Sequence, residues 1–132
     1  MERKNIVIIS IVILLTAGLG IPIASGAIKP LIVLSSSMEP VMSPGDLIIV
    51  QEREASDIST GEILAFEDPS GRHKVLITHR VIDITDRDGE RTFKTKGDAL
   101  EEADMFVVKS ESVEGKVVFN IPYLGYLFHY GR

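Results

Sequence analysis

Apolar and polar positions are distributed very unevenly along this chain. From Ile6 to Ile28 no residue is charged. Those 23 residues, at about 1.5 Å rise each, make a helix of roughly 34 Å, enough to cross a hydrocarbon core of about 30 Å. Arg3 and Lys4 precede the run and Lys29 closes it. Beyond Lys29 the pattern changes to short runs heavy in Val, Ile, Leu and Phe, at Leu31–Leu34, Leu47–Val50, Ile63–Phe66, Val75–Ile84, Thr92–Lys94 and Val113–Phe119. None repeats near 3.6 residues, so the runs predict strands. Their separators, Ser43-Pro44-Gly45-Asp46, Asp68-Pro69-Ser70-Gly71 and Asp86-Arg87-Asp88-Gly89, combine residues that preset φ, accept the left-handed region or cap their own backbone. The prediction is a mainly β domain of short antiparallel strands behind one N-terminal transmembrane helix, divided as residues 1–29 and 30–132.

Composition sharpens this picture. The 132 residues carry 14 Lys+Arg against 19 Asp+Glu, a net charge of −5, and no cysteine. An acidic balance argues against a nucleic-acid partner, whose phosphates would need cationic neutralisation. Zero cysteines removes disulfide scaffolds, thiolate metal centres and cysteine nucleophiles. Residues 1–29 hold three cations and one anion, and the remainder is acidic, so the positive-inside tendency puts the N-terminus in the cytoplasm and residues 30–132 outside. A basic start, an apolar stretch and Ala24-Ser25-Gly26 also describe a cleavable signal. The uncharged run is longer than the roughly 7–15 residues of a signal core, and Pro and Gly are tolerated in membrane helices, which favours a retained anchor. Under either reading the β domain is exported.

Three places could carry chemistry. Ser35-Ser36-Ser37 follows an apolar strand, where serines form turns more often than they act as nucleophiles. Ser37 lies nine residues past Ile28, so even an extended chain holds it within about 30 Å of the membrane surface. His79 sits within Val75–Ile82, and period-2 alternation puts it on the face of Val75, Ile77 and Val81. It is either a core-facing histidine bonded to backbone or a base, since its ordinary pKa is near neutrality. His73, in a turn, and His129, near the end, read as solvated. The segment Thr95–Asp104 holds Asp98, Glu101, Glu102 and Asp104, which is either an exposed acidic loop or the source of a carboxylate that orients His79. It lacks the ligand spacing of a calcium loop.

The ordered set Ser37-Met38-Glu39-Pro40, Gly45-Asp46-Leu47-Ile48-Ile49-Val50, Thr78-His79-Arg80-Val81 and Thr95-Lys96-Gly97-Asp98 with Asp104 beyond resembles type I signal peptidase. Within that family it is similar to the archaeal and endoplasmic-reticulum branch, in which histidine stands where the bacterial branch carries lysine. The resemblance implies Ser37 as nucleophile, His79 as general base and Asp104 as the acidic residue that branch requires. Asp98 is implied as a second acidic position important for activity or local structure, and Ser35 as an oxyanion-hole residue. Ser36 stands where many members have glycine, and Ala99-Leu100 replaces a common Asn-Asn.

The implied function is a membrane-bound serine endopeptidase that removes signal peptides from exported preproteins after small residues. Its partners would be preprotein signal peptides and the lipid bilayer, not nucleic acid, and no cofactor is implied. Other readings are a serine–lysine peptidase using Lys74, Lys94 or Lys96, a non-catalytic exported β-domain binding module, and an inert subunit of a processing complex. The apolar segment Ile121–Tyr130 is too short to span a membrane and suits either its interface or a sheet edge, with residues 120–132 assigned to the interface.

Overall fold

A computed structural model of the protein describes residues 2–72 and 74–122. The apolar run forms helix α1, Arg3–Ala24, long and apolar enough to cross a membrane and with none of its side chains buried in the protein. Its hydroxyl groups are satisfied internally: Ser10 Oγ donates to the Ile6 carbonyl at 2.8 Å and Thr16 Oγ1 to that of Val12 at 2.7 Å. A hydroxyl with no partner in hydrocarbon would cost several kcal/mol, so this back-bonding is what the sequence needs in order to cross lipid. The helix stops at Ala24, short of the predicted Ile28. Gly26 adopts φ +79°, and the N–H groups of Ser25 and Gly26 close on the carbonyls of Ile21 and Ile23.

Seven strands follow in one antiparallel sheet: β1 Ile28–Ile32, β2 Leu47–Gln51, β3 Ile63–Glu67, β4 Leu76–Arg87, β5 Glu90–Lys96, β6 Val108–Lys109 and β7 Val113–Ile121. Their order across the sheet is β1-β2-β7-β3-β4-β5-β6. Five of them, β2, β3, β4, β5 and β7, match predicted runs. The first is displaced, because pairing of Ile28–Ile32 with Gln51–Leu47 sets its limits, while Val33 extends the pairing only through loop contacts with Gly45 and Asp46. The two-residue β6 and the single 3₁₀ turns Ala55–Asp57 and Ser110–Ser112 were not predicted.

Burial alternates along β2 and β5 as a pleat requires, while β3 buries Leu64, Ala65 and Phe66 on both of its faces. One core cluster joins Ile58, Leu64, Phe66, Val81, Phe93 and Val108, and a second joins Met38, Met42, Ile48, Val50 and Ala65. Strand β4 is long enough to serve two partners. Its first part pairs with β3 from Leu76 to Arg80, and its remainder pairs with β5 from Arg80 to Arg87. The β4–β5 hairpin turns at Asp88 and Gly89, both at positive φ, the two-residue turn whose twist suits antiparallel strands and which Asp-Gly best accommodates. That hairpin sets the register as far as Asp83 opposite Lys94, and a bulge between Val81 and Asp83 then shifts it so that Thr95 stands opposite Val81. His73, His129 and the part of the apolar C-terminal segment from residue 123 onward lie outside the described residues.

Candidate active site

The alternation along β4 turns Ile77, His79 and Val81 inward and leaves His79 8% exposed. It does not end on a backbone group, as a merely structural core histidine would. Nε2 lies 3.2 Å from Ser37 Oγ, and Nδ1 lies 2.6 Å from Asp104 Oδ2. An ionised carboxylate can only accept, so the proton between His79 and Asp104 sits on Nδ1 and leaves Nε2 free to accept from the serine hydroxyl. The imidazole is backed edge-on by the fully buried Phe66, with ring centroids 6.3 Å apart at 73°.

Ser37 occupies the bend after β1, followed at once by the buried Met38. Its position is fixed from the far side by the acidic segment. The Ala99 N–H donates to the Ser37 carbonyl at 2.9 Å, and the Asp98 N–H points at Met38 Sδ at 3.4 Å. Ser35 Oγ lies 3.0 Å from Ser37 Oγ and is exposed.

The two carboxylates named from sequence go to different partners. The Asp104 side chain is 8% exposed and takes Oδ2 contacts from His79 and from Thr95 Oγ1 at 2.6 Å, while Lys94 Nζ bonds its carbonyl. Asp98 accepts two bonds from Arg80, from Nε at 2.8 Å and from Nη2 at 2.6 Å. The remaining Arg80 nitrogen, Nη1, donates to the Gly61 carbonyl at 2.7 Å. The hydrogen bond from Arg80 holds the Asp98 carboxyl below the usual carboxylate range, and the same bond raises the Arg80 guanidinium. Of the three lysines considered as a base, Lys94 is engaged with the Asp104 carbonyl, and the hydrogen-bond partners of Ser37 Oγ among the described residues are Ser35 and His79.

Sequence reasoning quoted Thr95 and Gly97 within their motif without a role and gave none to Phe66. Gly97 allows a close approach. A Cβ there would stand 2.7 Å from the Ser37 carbonyl and 3.2 Å from His79 Nε2. A signal for Thr95 existed: it shares an inward strand face with Phe93, an unusual place for a hydroxyl unless it has a partner.

Ser37 and His79 open on a cleft of about 450 Å³, with Asp104 bonded to the far side of the imidazole. Residues 32–35 form one wall, residues 75–79 the other, and Met38 and Met42 lie between them. Both walls keep a backbone edge free of sheet pairing among the described residues, since β1 is the outermost strand and β5 joins β4 only from Arg80. A hydroxyl, an imidazole and a carboxylate in hydrogen-bonded series beside such a cleft can carry out acyl transfer on an extended peptide.

Comparisons with known proteins agree with this chemistry. A family model described as "Signal peptidase, peptidase S26" matches residues 3–85. The chain is 36% identical over 92 residues to Signal peptidase I W of Bacillus subtilis (strain 168), an alignment covering 68% of this chain and 47% of that protein. It is 35% identical over 115 residues to the signal peptidase complex catalytic subunit SEC11C of Homo sapiens, covering 80% of this chain and 59% of that protein. The chain thus spans about half the length of the relatives it matches.

Proposed function

This chain belongs to the signal peptidase family, peptidase S26, and from that premise we propose that it is a membrane-anchored serine endopeptidase that removes N-terminal signal peptides from exported preproteins, cutting after small residues. The observation that carries the reading is the unbroken series Ser37 Oγ, His79 Nε2, His79 Nδ1 and Asp104 Oδ2, whose serine and histidine line an apolar cleft.

In this mechanism His79 Nε2 takes the Ser37 proton as Oγ attacks the scissile carbonyl, and the imidazolium then gives that proton to the leaving amine. Asp104 fixes the tautomer and stabilises the imidazolium. Water, activated by the same imidazole, hydrolyses the acyl-enzyme and restores Ser37. The developing oxyanion is met by the Ser37 backbone N–H and the Ser35 hydroxyl, a pairing supported by the 3.0 Å approach of the two serine oxygens. Asp98, held by Arg80, serves the reaction indirectly by fixing the loop that packs against Ser37.

The substrate pairs in extended form with the free edges of the cleft, and the buried Met38 and Met42 leave its floor too shallow for large side chains. Helix α1 anchors the enzyme in the cell membrane, with the N-terminus cytoplasmic and the β domain on the outer face, in contact with the lipid bilayer. Two molecules tethered to one membrane meet at a raised effective concentration without extra contacts. Neither nucleic acid nor a cofactor takes part in this reading.

The test is to incubate the detergent-solubilised protein with a preprotein and to identify the new N-terminus by mass. Wild type is expected to release the mature protein after a small residue, and Ser37→Ala and His79→Ala to leave the preprotein intact. Processing that survives either substitution overturns the reading.

A further inference from the structure

We propose that Thr95 is a positioning residue of this active site, holding the Asp104 carboxylate aimed at His79 through its buried hydroxyl; the proposal deepens the peptidase reading above and rests on it. Thr95 is fully buried on β5, and its Oγ1 donates to Asp104 Oδ2 at 2.6 Å, the same oxygen that accepts from His79 Nδ1 at 2.6 Å. A buried hydroxyl needs a partner, and a buried carboxylate needs donors, so each satisfies the other. The pairing is reinforced by backbone. The Asp104 N–H donates to the Thr95 carbonyl at 2.9 Å, and Lys94 Nζ reaches the Asp104 carbonyl. Asp104 therefore docks on two consecutive residues of β5, and the register that sets Thr95 opposite Val81 puts that dock beside His79, two residues earlier on β4.

The segment that carries Asp104 has no strand of its own between Lys96 and Val108. With only the imidazole as side-chain partner, the carboxylate could swing toward solvent around its χ1 and χ2 bonds. The Thr95 hydroxyl gives Oδ2 a second fixed donor from a rigid strand. That fixes the direction of the carboxylate and leaves the histidine proton on Nδ1.

Three variants and two readouts test this. Thr95→Val keeps the shape and removes the donor, Thr95→Ser keeps the donor, and Thr95→Ala replaces the valine variant if that one fails to melt cooperatively. The expected result on preprotein is a kcat about ten- to hundredfold lower for Thr95→Val, with KM unchanged and activity restored in Thr95→Ser, as for a lost hydrogen bond to a charged group. The second readout is the downfield proton resonance of His79 Nδ1–H in histidine-¹⁵N-labelled protein, expected in wild type and Thr95→Ser and displaced or broadened in Thr95→Val. Wild-type kcat and an unmoved resonance in Thr95→Val overturn the proposal, as does a folded Thr95→Ser as slow as the valine variant. If wild type fails to process any preprotein, the peptidase reading falls while the resonance still decides Thr95: displacement in the valine variant supports its hold on Asp104, and no displacement overturns it.

Discussion

Two consecutive residues of β4, His79 and Arg80, each take hold of one carboxylate of the same acidic segment. His79, on the inner face, meets Asp104 through a single 2.6 Å contact whose side chains are 10% and 8% exposed. Arg80, on the outer face, clasps Asp98 with two nitrogens, and its side chain remains 32% exposed. The inner pair can move a proton, because an imidazole nitrogen can accept one as well as donate it and the far nitrogen faces a hydroxyl. The outer pair cannot, because guanidinium stays charged at any pH the protein meets. One pleat of a strand thus separates the carboxylate bonded to an imidazole from the one clasped by a guanidinium, although both are aspartates six positions apart on one loop. Residue type within an acidic cluster says little about role; the face of the neighbouring strand says a great deal.

Gly97 joins the two pairs, and adding a methyl group there is the strongest way to disturb both. In Gly97→Ala the new Cβ would meet the Ser37 carbonyl at 2.7 Å, so either the serine bend or the acidic loop must shift. A displacement of that kind lowers kcat about 100-fold. It also costs about 1–3 kcal/mol of stability through overpacking, readable in a urea titration beside steady-state processing. Wild-type kinetics in Gly97→Ala would show that the two pairs are not rigidly joined.

A smaller effect concerns the outer pair alone. The hydrogen bond from Arg80 holds the Asp98 carboxyl below its value in the unfolded chain, about 3.9. Its contribution to stability is therefore complete above that pH and is lost as pH falls through the lower folded-state value. The urea midpoint of wild type is expected to fall between pH 5 and pH 2.5 by more than that of Asp98→Asn, which has no carboxyl to titrate. Parallel curves would mean that the Arg80 clasp contributes nothing to the fold.

Much of this arrangement was legible in the sequence. Strands announced themselves through runs of branched residues between Asp-Gly and Pro-Gly separators, and α1 through the absence of charge. β1 begins three residues and ends two residues before the predicted run, because its limits come from pairing with β2 and not from its own hydrophobicity. β6, two residues long, has no periodicity to read. Ser37 and His79 stood out by motif and by face. Which aspartate meets His79 depended on the β4–β5 register and on the path of a segment without regular structure, and neither is written in local pattern. Thr95 and Gly97 were visible as letters, but their roles are distances of 2.6 Å and 2.7 Å to atoms distant in sequence.

The division of labour between the two carboxylates is tested most directly by measuring processing kcat and melting temperature side by side for Asp104→Asn and Asp98→Asn. Asp104→Asn is expected to lower kcat about 10⁴-fold, through the wrong histidine tautomer, while melting close to wild type. Asp98→Asn is expected to lower the melting temperature, by the loss of about 1–3 kcal/mol of charge-assisted bonding, with kcat within about tenfold of wild type. Equal losses of kcat in the two variants, or an active Asp104→Asn, would contradict this division.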